Sequence, residues 1–193
     1  MKNIAIFASG NGSNAQRIAE YFTDSPDVNI CLILSNNPTA NVLNRAEALN
    51  IPSFVFTASE LNESSIVLDK LRECEVDFIV LSGFLLLIPT TILEEWDRKI
   101  INIHPALLPK YVGKGMYGNN VHKAVIESGD RESGITIHYV NSNYDEGDII
   151  YQTRCPVMRN DTPDTLAARI HPYEYEFYPQ VIEKEVFKVK SEK

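Results

Sequence analysis

The run Ile4-Ala5-Ile6-Phe7-Ala8-Ser9-Gly10-Asn11-Gly12-Ser13-Asn14-Ala15 passes from an apolar, strand-like segment through a glycine-rich turn into a helical pattern. Ala15, Ile18, Ala19 and Phe22 follow i, i+3, i+4, i+7 spacing, which predicts one buried helical stripe. The alternation continues. Strands are predicted at 4–7, 28–34, 53–56, 78–81, 100–103, 134–140 and 149–156, and helices at 42–49, 61–74, 90–96 and 120–128. A last helix begins near Asp164, with Asp161 or Thr162 as its cap and Pro163 in the first turn. Pro172 and Pro179 each remove a backbone donor and are expected to kink or divide that helix. The charged segment 184–193 is expected to fray. With no repeat or linker, the pattern predicts a single α/β domain over 1–193: a mainly parallel, twisted sheet flanked by helices on both faces.

The turn Ser9-Gly10-Asn11-Gly12-Ser13-Asn14 has a chemical reading as well as a conformational one. Glycines permit the tight turn, and the free N–H groups of a helix start attract an anion. Ser13 and Asn14 add side-chain donors, so the loop reads as a phosphate cradle. A dinucleotide site is the competing reading, but it expects an acidic residue about twenty positions later. The second strand instead ends in Leu34-Ser35-Asn36-Asn37.

Further along stands Ile101-Asn102-Ile103-His104-Pro105. Strand alternation puts Asn102 and His104 on one side and the isoleucines on the other, and Pro105 ends the strand there. The carboxyl edge of an open α/β sheet is where ligands bind. An amide beside a titratable ring suits polarising a carbonyl and holding the resulting oxyanion. An orienting carboxylate for the imidazole is available in Tyr144-Asp145-Glu146-Gly147-Asp148, where Asp145 and Asp148 are equally placed.

Bulk properties narrow the classes. A net charge of −8 disfavours nucleic-acid binding and requires any anionic substrate to find a locally favourable site. Cys31, Cys74 and Cys155 form no CxxC pair and read as reduced thiols, with no cluster offering a metal site. The longest apolar region, 78–88, is broken by Ser82-Gly83 and too short for a membrane span, so a cytoplasmic location is expected. His122 and Trp96 read as packing residues, and His138 as a structural or surface residue on its strand. The glycine-rich loop 111–118 reads equally as a flexible connection or a mobile lid, with Lys110 and Lys114 adding positive potential.

Taken together, Ser-Gly-Asn-Gly-Ser-Asn at 9–14, Ile-Asn-Ile-His-Pro-Ala-Leu-Leu-Pro at 101–109 and Asp-Glu-Gly-Asp-Ile-Ile at 145–150 resemble the phosphoribosylglycinamide formyltransferases. These are a branch of the folate-dependent formyltransferases, and the resemblance runs from about Lys2 to Phe187. It implies a Rossmann-like formyltransferase fold and transfer of a formyl group from 10-formyltetrahydrofolate to the amine of glycinamide ribonucleotide, in purine biosynthesis. It implies catalytic roles for Asn102, His104 and Asp145, with Asp145 holding His104 cationic, and phosphate binding by Gly12, Ser13 and Asn14. Glu174 matches a glutamate near the glycinamide end of the substrate. The pterin of the folate is placed along Leu85, Leu86, Leu87 and Ile88 and the loop from Asn141 to Asp145, with Asn102 beside it. No metal is required, the partners are the two small molecules, and the chain is a monomer or homodimer. The segment 58–65 lacks the arginines common near the folate tail, and Leu85-Leu86 stands where Met-Arg is common.

Overall fold

A computed structural model of the chain describes residues 1–188. Seven strands form one sheet: β1 (Lys2–Phe7), β2 (Val28–Ser35), β3 (Ser53–Val55), β4 (Phe78–Leu81), β5 (Ile100–His104), β6 (Glu132–Tyr139) and β7 (Ile149–Pro156). Their spatial order is β3-β2-β1-β4-β5-β6-β7. The first five are parallel, whereas β6 runs antiparallel to β5 and β7 antiparallel to β6.

Helices α1 (Ser13–Phe22), α2 (Asn41–Ala48), α6 (Asn119–Glu127) and α7 (Pro163–Val186) pack on one face. Helices α3 (Ala58–Glu63), α4 (Ile66–Glu73) and α5 (Thr90–Glu95) cover the other. Alternation along each central strand feeds both cores. Ile4 and Ile6 join the α1/α7 side, Ala5 and Phe7 the α3/α4 side, and all four are fully buried. The sheet order at β1/β4 reverses direction, which opens a crevice at the carboxyl ends of these strands.

Three local expectations are corrected. The helix expected over 61–74 is two helices: Ser64 is extended, and its hydroxyl bonds back to the Glu60 carbonyl at 2.7 Å, ending α3. That first helix starts early because Thr57 and Glu60 form a capping box. The prolines do not divide α7, which runs unbroken from Pro163 to Val186. Each still deletes one intrahelical donor, but Leu166, Ile170, Tyr178, Val181 and Ile182 are buried against the sheet and keep the segment in register. The expected fraying of 184–193 is not found at residues 184–188, where the helix runs on to Val186. Glu185 accepts from the Tyr139 hydroxyl, and Lys188 Nζ lies 3.2 Å from the same oxygen. Residues 189–193 lie outside the described residues.

Tyr178, fully buried, ties α7 to the strands that carry the crevice. Its hydroxyl donates to the Leu81 carbonyl at 2.7 Å and lies 3.2 Å from the Ile101 carbonyl. Removing that hydroxyl leaves two buried carbonyls short of a donor, at a cost of about 1–3 kcal/mol. Tyr178→Phe should therefore lower the urea midpoint with an unchanged m-value. An unaltered midpoint would show that the bridge contributes nothing.

Candidate active site

The last two residues of β5 on the α3/α4 side are Asn102 and His104, while Ile101 and Ile103 enter the opposite core. Across the antiparallel ladder, Asn102 stands opposite His138 and His104 opposite Thr136. The loop between β6 and β7 folds back to bring Asp145 into this group, with Asp145 itself at φ 55°. A left-handed aspartate is tolerable but uncommon, and such conformations concentrate at functional sites. Asp148 points away and pairs with Arg98 at 2.9 Å. Geometry thus separates two acids that spacing left equivalent.

Within the cluster the hydrogens can be assigned. The His104 ring, 3% exposed, gives its Nε2–H to the Tyr111 carbonyl at 2.9 Å. Its Nδ1 faces Asp145 Oδ2 at 3.5 Å. With the hydrogen on Nε2, Nδ1 and the carboxylate oxygen meet there as two acceptors, with room for one proton between them. Burial pushes the His104 pKa below its ordinary value, against the opposing pull of Asp145. Desolvation thus opposes the cationic ring that the resemblance implies, while the Asp145 carboxylate favours it. Asn102 Nδ2 donates to Asp145 Oδ1 at 3.1 Å and to His138 Nε2 at 3.2 Å.

The turn after β5 is held by Thr136. Its hydroxyl donates to the Ala106 carbonyl at 2.7 Å and accepts from the Leu108 N–H at 3.1 Å. The loop 111–118 is tied at its base, since the Tyr111 hydroxyl donates to Asp130 at 2.7 Å. Lys110 also pairs with Asp130, at 2.8 Å, so its charge is directed at that carboxylate.

At the end of β1, Gly12 precedes α1 at φ 73° with no side-chain cap, which leaves the first N–H groups of α1 available. A Cβ on Gly12 would stand 2.8 Å from the Val42 Cα, so the loop can close on α2 only with glycine there. Arg45 braces the loop through the Asn11 carbonyl at 2.8 Å. The Asn14 side chain gives one of its two N–H groups to Glu174 Oε2 at 2.9 Å, which leaves the other to donate. Buried Glu174 also pairs with His171 Nδ1 at 3.1 Å, and this bond raises the His171 pKa.

Beside Asn102, the segment after β4 is anchored by the Leu85 N–H to the Ser9 hydroxyl at 3.0 Å. Leu85 and Leu87 are each 38% exposed and offer an apolar ledge, with Leu86 half-buried behind them. Ile88 is 3% exposed and belongs to the α3/α4 core, so its side chain packs there and is not part of that ledge. Asn141 accepts from the Asn143 N–H at 2.9 Å and shapes the start of the loop that carries Asp145.

Two buried histidines have surroundings that the sequence did not disclose. His138, read as a structural or surface residue, is 2% exposed and inside the cluster. Its alternation with Ile135 and Ile137 already set it apart from the core face, but only the β5–β6 register shows what it meets. His122 on α6 is also 2% exposed, its Nδ1 has no hydrogen-bond partner among the described residues, and it senses Glu174, His171 and His104 electrostatically.

The formyl transferase family matches residues 2–182. The phosphoribosylglycinamide formyltransferase of Bacillus subtilis is 38% identical over 189 residues, covering 95% of this chain and 94% of that protein. The chloroplastic one of Arabidopsis thaliana is 42% identical over 187 residues, covering 94% of this chain. The chain spans 64% of that protein and 60% of its 41% identical counterpart from Vigna unguiculata. Among solved structures, the phosphoribosylglycinamide formyltransferase of Anaplasma phagocytophilum superposes with a TM-score of 0.87 at 36% identity, covering 96% of this chain and 87% of that one. That of Streptococcus pneumoniae gives 0.84 at 37%, covering 95% and 98%.

Burial drops the His122 pKa from 6.5 to about 4. The folded ring stays neutral to that pH, whereas the unfolded ring protonates near 6.5, so the unfolded state binds the extra proton between the two values. This removes roughly 3 kcal/mol of stability as pH falls through that window. Urea unfolding at several pH values should show a shallower acid loss in His122→Gln than in the wild type. Parallel curves would exclude His122 as the source.

Proposed function

Because the chain belongs to the formyl transferase family, we propose that it moves a formyl group from 10-formyltetrahydrofolate to the amine of glycinamide ribonucleotide. The observation that carries this reading is the proton slot between His104 Nδ1 and Asp145 Oδ2, 3.5 Å wide. It shares one sheet edge with an open helix N-terminus able to take a phosphate. The names of the relatives support the substrate, and the apolar ledge at Leu85 and Leu87 suits a flat pterin.

This chain's residues divide the work as follows. The N–H groups at Ser13 and Asn14 hold the 5-phosphate, and Glu174 sits between that end and His104. As the amine attacks the formyl carbon, negative charge grows on the formyl oxygen and the amine nitrogen must lose a proton. The slot between His104 and Asp145 receives it, directly or through a water. The ring becomes cationic when the oxyanion needs it, and returns the proton to the departing nitrogen. Protonation also weakens the hold of Asp145 on Asn102 Nδ2, so that one amide N–H turns to the oxyanion. A donor placed there is worth about 3–4 kcal/mol of barrier.

The decisive assay compares formyl transfer to glycinamide ribonucleotide, to its dephosphorylated form and to no acceptor. Turnover that needs the phosphorylated acceptor supports the reading, acceptor-independent loss of formyl indicates a hydrolase, and no turnover defeats the donor assignment. Asn102→Ala, His104→Ala and Asp145→Ala should each lower kcat by at least ~10² in folded protein. Wild-type rates in all three would remove the site. Ser13→Ala should raise KM for the ribonucleotide with little change in kcat, and an unchanged KM would remove the phosphate role from its side chain.

A further inference from the structure

The buried ring of His138 has no part in the proton transfer set out above, yet its contacts define what each nitrogen does. Gly147 passes so close to Tyr139 that a Cβ there would stand 1.7 Å from the Tyr139 carbonyl oxygen. The Tyr139 N–H bonds the Asp148 carbonyl at 2.9 Å, which fixes the same peptide segment from its other side. The Tyr139 carbonyl oxygen lies 2.8 Å from His138 Nδ1. A carbonyl only accepts, so Nδ1 carries the hydrogen, and Nε2, which also lies 3.5 Å from Asp145 Oδ1, is left as the acceptor. That acceptor stands 3.2 Å from Asn102 Nδ2 and requires the amide to present its NH2 end.

Asp145 Oδ1 holds the same NH2 group at 3.1 Å, so at rest the two partners agree. They diverge during turnover. Once a proton reaches the Asp145–His104 pair, the carboxylate pulls less on the amide. An amide held by Asp145 alone is then free to turn over and set its own oxygen against the growing oxyanion. We propose that His138 is a positioning residue that keeps the NH2 end of Asn102 in place through proton transfer, its acceptor nitrogen set by the Tyr139 carbonyl that Gly147 leaves room for. This role rests on the formyl-transfer reading above.

The test is a double-mutant cycle with both substrates varied: wild type, His138→Phe, His138→Gln, Asn102→Ala and the His138→Phe/Asn102→Ala pair. The Phe variant should lose about tenfold or more in kcat with both KM values within about twofold, because the group acts on the transition state alone. Gln, whose side-chain carbonyl also accepts, should recover most of that loss. In the Asn102→Ala background the Phe substitution should cost nothing further. Full additivity, or a Gln variant as slow as Phe, overturns the proposal. Ring 15N spectra of the wild type provide a check that needs no variant: a hydrogen on Nδ1 is expected, and one on Nε2 overturns the role. A wild type that transfers no formyl group defeats the functional reading and this role together. An active wild type with additive variants defeats this role alone.

Discussion

The site depends on the register of β5 between its neighbours. With a side-chain period of two, Ile101 and Ile103 face the α1/α7 core, and Asn102 and His104 reach the other face. A slip of one residue would bury the amide and the imidazole among isoleucines and turn two isoleucines into the crevice. Three constraints prevent it: the parallel ladder to β4, the antiparallel ladder to β6, and the Tyr178 hydroxyl spanning the carbonyls of Leu81 and Ile101. The Thr136 hydroxyl extends that order into the turn beyond Pro105.

Charge is handled locally in a chain of net −8. The loop at Gly12 presents backbone N–H groups and is braced by Arg45, and Glu174, which accepts from Asn14, is also paired with His171. At the other end of the crevice, a buried imidazole and a carboxylate share a gap suited to one proton. Desolvation disfavours the charged ring while the carboxylate favours it, so the two effects oppose each other over that one proton.

Much of this was legible in the sequence because the signals are local. Apolar runs marked all seven strands within a few residues, and the spacing of Asn102 and His104 gave their shared face. The break at Ser64 was not legible, because a serine that bonds back to Glu60 looks like any polar residue in a helical stretch. The continuity of α7 through Pro172 and Pro179 was hidden for the opposite reason: tertiary burial overrides a local rule. What His138 meets was not legible, because its partner Asn102 stands 36 residues away in the chain. Asp145 and Asp148 differ only in how the loop turns, which motif resemblance supplied and spacing did not.

The hairpin of β6 and β7 is joined by local contacts, whereas the parallel strands β1 to β5 are linked through longer crossovers. Asn102 and His104 come from the parallel part, and His138 and Asp145 from the hairpin. Neither part holds a complete site. On the proposed reading, these four groups meet only once the hairpin pairs along the β5–β6 seam. Recovery of activity during refolding would follow this non-local event, and not the earlier gain of helix or strand signal.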